Sequence, residues 1–435
     1  MKIEKKVLAR VEGGASLKLE WERGKIKDAK IIFNEFRGIE KILRGKPFMD
    51  ALVINPRVCG ICGHAHLIAT VKALENALGI EEIPKKAEVL RRITRLTEIL
   101  QNHVKWFYLF IMPDFLKLKN LHEYRPFSGR AWREAVRITS EVVKVIAIFS
   151  GQWPHSSYAI PGGITSNPSE EDVFRAKALI KKFKEFFLSR IVGLEEEEFR
   201  KVRKGGNYEK LGGDIGKFLE LCYEFSLTGV GRSYGRFISG GGFIDTLKPS
   251  YKREKGRRFK FSPKFVKVLN PPPYTFSRPV RYKGLPYETG PLARQVLCRN
   301  PLIEGLFLKF GDSFAVRVSA RILELWEILE KVEELLTELL RYIDEPSSMG
   351  DIPREVSGSG ISVVEAARGT LIHKVEINKG RILNYEIITP SQWNLGPRCE
   401  RYLGIAEKAM LGLDSSLKAE MVLRSFDLCS VCTTH

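Results

Sequence analysis

Cysteine is scarce in this chain, with seven residues in 435. That is too few for a disulfide framework, so the sulfur that is present is read as metal or redox chemistry. Long apolar runs are also missing. No stretch of roughly 18 uninterrupted apolar residues occurs, and the start, MKIEKKVLARVEGG, holds no apolar segment long enough for a secretory signal. The composition therefore predicts neither a membrane span nor a leader. Acidic residues are outnumbered, 52 Asp and Glu against 71 Lys and Arg, for a net charge of +19. The surplus fits an anionic partner, or else a solvated Lys/Glu-rich surface of the kind thermophiles use. It is spread along the chain with no nucleic-acid motif beside it, so no nucleic-acid partner is expected. Only KREKGRRFKFSPKFVK, residues 252–267, is dense enough to form a local docking surface.

What is present reads as a large folded unit. The length would allow about three domains, yet no low-complexity linker divides it. The expected fold is α+β and predominantly helical: one large domain, 1–435, with a central bundle of long helices and small antiparallel sheets. Within it, residues 1–83 carry an N-terminal hairpin and a first CxxC motif, and 84–193 carry helices. Residues 194–290 form an irregular region with the basic loop, and 291–435 carry helices, a second hairpin and a C-terminal CxxC-x-x-His. Ile93, Leu96, Leu100, Val104, Phe107 and Ile111 recur at helical spacing between Pro84 and Pro113. Residues 131–150, 170–193 and 320–343 show the same period. ERGKIKDAKII (22–32) and NKGRILNYEII (378–388) both read as hairpin turns. Their likeness is either convergent turn chemistry or a sign that both hairpins join one sheet.

Cys59 and Cys62 flank a glycine in a tight CxxC, and Cys429 and Cys432 repeat the spacing at the other end. Four thiolates suit zinc, nickel or iron better than magnesium or calcium. Structural zinc is the default for two such pairs, but those pairs usually lie about 15–20 residues apart. Here 367 residues separate Cys62 from Cys429, and closing that loop costs about 5 kcal/mol of chain entropy. A site assembled from both chain ends is better explained by function than by stapling.

RVCGICGHAH (57–66) resembles the first cysteine motif of the large, catalytic subunits of nickel-iron hydrogenases, Arg-x-Cys-Gly-x-Cys-x-x-x-His. FDLCSVCTTH (426–435) resembles the second, Asp-Pro-Cys-x-x-Cys-x-x-His. RVEGG, FRGIE, QNH, PGGITSNP, GLPYETGPLAR, EAARG and TPSQWNLGPR follow the same family order along the whole chain. The resemblance implies that Cys59 and Cys429 are terminal nickel ligands. Cys62 and Cys432 would bridge nickel to an iron carrying carbon monoxide and cyanide. It also implies magnesium or another divalent cation held by Glu40, His435 and the backbone carbonyl of Leu395. The family's precursor loses a tail after the final histidine, so an end at His435 resembles the processed form, or one encoded without a tail.

Heterolytic cleavage of dihydrogen needs a Lewis acid and a base beside it. The family offers the thiolate of Cys429 and the guanidinium of Arg368 for the second role. The thiolate is the easier base, because arginine stays protonated. Glu12 would relay the proton outward. Asp114 and Asp427 would hold the arginine above the metals, and Ser391 with Arg368 would bond the cyanides. His66 and His103 match supporting positions around the cysteines, although His103 also falls on an apolar helical stripe where a core histidine would sit. His64 is a weaker match, and His122, His155 and His373 receive no role.

Three positions depart from the family pattern: Leu428 and Ala367 stand where proline is common, and Gly14 where histidine often follows. The first two loosen the backbone near the site. No further cysteine group suits an iron-sulfur cluster, so an iron-sulfur small subunit is expected as partner, with further electron-transfer or membrane subunits as an option. A cytoplasmic location, or the cytoplasmic face of a membrane, is expected, with any export directed by the partner. Two other readings share parts of this pattern: a regulatory hydrogen sensor, and a zinc-stabilised binding protein.

Overall fold

Helices that are buried on nearly every side form the centre of the molecule. The computed structural model describes residues 2–245, 247–353 and 355–435. Lys85–Trp106 packs against Arg130–Ser150 and Phe314–Leu339, and Arg130–Ser150 packs in turn against Glu170–Phe186. The stripe from Ile93 to Ile111 is buried throughout. Pro113 does not end this run. A π-helical turn, Phe107–Ile111, resets the register so that the proline falls in the first turn of Met112–Phe115, where its missing N–H costs nothing.

The long C-terminal helix starts at Phe314, six residues before the expected 320. Ser313 caps it there by accepting the Val316 N–H. Glu170–Phe186 opens with a capping box at Ser169 and Asp172, and a π-helical turn continues it to Val192. The 194–290 region is more regular than expected, with helices at Glu196–Gly205 and Gly213–Glu224. Short strands there form one three-stranded and one two-stranded sheet.

Both expected hairpins form. Arg23 and Gly24 have φ of 49° and 74°, and Lys379 and Gly380 have 48° and 75°. Positive φ at both central positions is the type I′ geometry that suits strand twist. The hairpins lie in separate antiparallel sheets, Lys2–Val7, Ser16–Glu22 and Lys25–Ile32 in one, Gly358–Ala366, Gly369–Asn378 and Arg381–Ile388 in the other. Their likeness is therefore shared turn chemistry, not a shared sheet. The chain ends meet by other contacts. The Ser430 N–H donates to the Glu12 carbonyl at 2.8 Å, and Ile26 exchanges backbone hydrogen bonds with Gly412 and Leu413.

Candidate metal centre

Two loops, one from each chain end, present the cysteines. Cys59 leaves the Asn55–Val58 turn in an extended conformation, and Cys62 immediately precedes the Gly63–Leu78 helix. The buried carboxylate of Glu98 accepts the His64 and Ala65 N–H groups at 2.9 and 3.0 Å, which fixes the first turn of that helix. Burial pushes the Glu98 carboxyl up to about 8. Gly63 is required by packing, since a Cβ there would lie 2.7 Å from the Pro56 carbonyl oxygen. On the other side Cys429 is extended and precedes the short Ser430–Thr433 helix. Arg37 joins the two loops by donating to the carbonyls of Arg57 and Val58 on one and, at 2.7 Å, Val431 on the other.

The four sulfurs converge. Cys59 and Cys429 Sγ are 4.0 Å apart, Cys62 and Cys432 3.7 Å, and Cys429 and Cys432 3.0 Å. All four cysteines are buried and none is in a disulfide. Hydrogen bonding from Cys429, with Cys432 and Cys62, holds the Cys59 thiol well below its usual range, whereas burial pushes Cys429 up. Four converging soft donors, buried together, fit a soft or borderline metal site.

A guanidinium lies over this cluster. Arg368 Nη1 is 3.7 Å from Cys62 Sγ and 4.0 Å from Cys59 Sγ. Its Nε and Nη2 donate to the backbone oxygen and Oδ1 of Asp427 at 2.9 and 3.0 Å. Burial opposes the charge, but Asp427 and the thiolates outweigh it and keep Arg368 protonated. Asp427 makes these contacts from a left-handed conformation (φ 57°) that aspartate tolerates.

Asp114 does not hold Arg368. It pairs with Arg424 at 2.8 Å through both oxygens and with Arg10, so its charge is spent on other guanidinium groups. A second arginine takes up the support instead. Arg321 Nη1 donates to Asp427 Oδ2 at 3.1 Å and to the Ala367 carbonyl at 3.4 Å, and its guanidinium stacks 4.6 Å from the Trp106 ring centre. Arg294 holds the Ala366 carbonyl at 3.0 Å while paired with Glu324 and Glu365. These contacts hold the backbone carbonyls of Ala366 and Ala367 just before Arg368. Gly290 lets the Arg368 backbone pack closely, since a Cβ there would be 2.6 Å from the Arg368 carbonyl oxygen.

Glu12 is half-buried beside the cluster. Burial raises its carboxyl, while Arg368 pulls it down. Ser391 sits in Pro390–Leu395, a helix tied to the site by the Thr389 hydroxyl donating to the Cys432 carbonyl at 2.6 Å. The Ser391 hydroxyl is buried without a protein partner, which suits a donor awaiting a bound group. His103 is a core histidine: its Nε2 lies 2.9 Å from Glu324 Oε2, and burial lowers it to about 4. His66 contacts His373 through Nδ1 at 3.1 Å. His64 stacks on Tyr158.

The expected cation site is partly redrawn. His435 and Glu40 do meet, with Nε2 3.6 Å from Oε1. The carbonyl beside His435 Nε2 is that of Ile387, at 3.0 Å, where Leu395 was expected. The Arg381–Ile388 strand runs past His435, whereas Leu395 belongs to the following helix. His435 Nδ1 also faces an oxygen, Cys432 O at 3.1 Å. A carboxylate, a carbonyl and an imidazole are a fitting shell for a divalent ion. Burial works against the Glu40 charge, yet His435, Arg278 and the Ile387 N–H together lower its carboxyl.

Arg37, Glu98, Arg321 and Ile387 were not anticipated as parts of the site. Arg37 lay within the recognised FRGIE stretch, but nothing in sequence pairs the others with the cysteines.

Comparison with known proteins agrees with this geometry. A family model for nickel-dependent hydrogenase matches residues 37–132 and 245–435. The chain is 28% identical to sulfhydrogenase 2 subunit alpha of Pyrococcus furiosus, covering all of this chain and 99% of that one. It is 26% identical to the periplasmic [NiFeSe] hydrogenase large subunit of Desulfomicrobium baculatum, covering all of this chain and 95% of the relative. The reduced Ni-Fe-Se hydrogenase of D. vulgaris Hildenborough superposes with a TM-score of 0.84 at 25% identity, each chain fully covered. Four buried cysteines brought together from both ends, inside a fold matched along its whole length, show that the chain belongs to the nickel-dependent hydrogenase family, as a large subunit.

Proposed function

We propose that this enzyme cleaves dihydrogen heterolytically and reversibly to protons and electrons. The observation that carries the reading is the buried four-sulfur cluster beneath Arg368. Cys59 and Cys429 would hold nickel terminally, and Cys62 and Cys432 would be shared with an iron bearing carbon monoxide and cyanide. Such a pair supplies Lewis acidity toward hydrogen. The Cys429 sulfur then takes the proton, and Glu12, with its carboxyl raised by burial, passes it on. Arg368 stays charged beside the cluster, where it would orient the substrate and, with Ser391, would donate to the cyanides. Glu40, His435 and the Ile387 carbonyl would hold magnesium.

Electrons must leave through another chain, because Cys222, Cys298 and Cys399 stand singly. An iron-sulfur small subunit fits that need, and the relatives above are themselves named as subunits. Among the described residues no helix is long and apolar enough to cross a membrane. The cytoplasm remains the proposed location, with any export directed by the partner.

The test is isotope exchange. Anaerobically purified complex under deuterium gas in ordinary water should release HD without any electron acceptor. Fully nickel-loaded protein that forms no HD would refute the reading.

A further inference from the structure

Positive charge is densest in one stretch of the chain. Between residues 248 and 283 stand twelve Lys and Arg and a single acidic residue, Glu254. Three of the arginines are engaged by the fold: Arg281 is buried and donates to the Pro397 carbonyl, Arg258 donates to that of Leu297, and Arg278 pairs with Glu40. Glu254 lies 3.6 Å from Arg236, outside the stretch. Among the described residues these two ion pairs are the only ones the stretch makes. Arg257, Lys260, Lys264 and Lys267 are exposed and have no carboxylate partner there.

Two phenylalanines stand exposed within this charge. Phe259 and Phe265 present 44% and 51% of their surface to solvent. Cross-strand pairing sets Phe259 opposite the buried Tyr251, and their rings stack at 5.3 Å. The Lys283 ammonium lies 5.2 Å from the centre of the Tyr251 ring and 4.8 Å from that of Phe265, and donates to the Tyr251 hydroxyl at 3.1 Å. Phe259, Lys283 and Phe265 thus form one continuous surface supported by Tyr251. Arg258–Lys260 is the outermost strand of its three-stranded sheet, and all three of its residues are exposed.

We propose that this surface docks peripherally on an anionic lipid bilayer, with Phe259 and Phe265 entering the headgroup layer and the surrounding Lys and Arg meeting lipid phosphates. A protein partner fits less well. Protein interfaces deplete lysine and take their register from specific opposed charges, whereas here one carboxylate accompanies twelve cations. A bilayer offers uniform negative charge with no register to match, as on an anionic cytoplasmic leaflet. Apolar insertion and a polybasic field together give an attachment that neither signal gives alone. Nucleic acid is also uniformly anionic, but no nucleic-acid-binding motif lies in this stretch. Arg257, Lys260, Lys264 and both phenylalanines lie outside the metal centre, so the proposal does not depend on the hydrogenase reading.

Co-sedimentation of the purified complex with vesicles tests this. Vesicles of equal parts phosphatidylglycerol and phosphatidylcholine should pellet the wild-type complex at low salt, pure phosphatidylcholine should not, and high salt should release it. Each basic side chain at an anionic surface strengthens binding about fivefold, so the combined Arg257→Gln, Lys260→Gln and Lys264→Gln variant should bind about 100-fold more weakly. Phe265→Ala keeps the charge and should lose about tenfold, since about half of that side chain is free to leave water. The substituted side chains are exposed, so thermal melts of the variants should match wild type. Wild-type complex that ignores anionic vesicles would overturn the proposal, and so would equal binding by the triple variant. Binding of single-stranded DNA through the same three basic residues, with anionic vesicles ignored, would overturn it in favour of a nucleic-acid surface.

Discussion

Replacing Arg321 by methionine should leave the protein folded and nearly as stable, yet impair it as a catalyst. Burial lowers Arg321 to about 10 from its ordinary 12.5. Its charge therefore costs more in the interior than its partners return, by about 3 kcal/mol. Stacking on Trp106 at 4.6 Å returns about 2 kcal/mol for a desolvated pair. Losing the 3.1 Å bond to Asp427 costs about 1–3 kcal/mol for the acceptor left behind. These contributions nearly cancel, and methionine fills the stem volume, so Tm should stay within about 3 °C of wild type. Catalysis does not share that cancellation. Arg321 braces both Asp427 and the Ala367 carbonyl, the two supports of Arg368. A displacement of about 1 Å at a positioned group can cost ~100-fold in rate. Thermal melts and HD exchange on the same preparation check the prediction. Wild-type exchange in R321M, or a Tm loss above about 10 °C, would refute the reasoning.

Glu12→Gln should lower HD exchange by about 100-fold or more while nickel content and infrared bands stay as in wild type, since general-base relays contribute on this scale; unaltered exchange would remove Glu12 from the path. Arg37→Ala should release nickel faster under chelator challenge, because the guanidinium ties both cysteine loops together; equal release rates would show that the tie is dispensable. Glu327 tests the interior away from the metals. Burial raises its carboxyl to about 7 although Arg203 opposes this, and Oε2 is buried without a partner. A raised carboxyl binds its proton more tightly in the folded state, so stability falls as pH rises from about 4.5 through 7, by about 3 kcal/mol in all. Glu327→Gln should flatten that slope between pH 5 and 8 in thermal melts, and an unchanged slope would contradict the assignment.

Local chemistry made part of this structure readable. The two hairpins follow from basic-Gly turns, the long helices from apolar spacing, and the cysteine loops from CxxC patterns at each end. What escaped depends on contacts between distant residues. Asp114 and Asp427 look alike in sequence, yet Arg424 and Arg10 claim the first and Arg368 the second. Arg321 and Glu324 sit in a helix with many other charged residues, where periodicity marks them only as two more polar positions; their partners are 106 and 30 residues away. A backbone carbonyl carries no signature of its residue type, so Ile387 could not be told from Leu395. The apolar stripe drew the expected helix start inward to 320, because the Ser313 cap lies outside that stripe.

The most direct test of the central claim is a nickel-edge X-ray absorption spectrum of the anaerobically purified complex. Four sulfur neighbours around nickel, with iron just beyond them, would establish that Cys59, Cys62, Cys429 and Cys432 hold the paired metals. Protein with no nickel edge and zinc bound in its place would contradict the account.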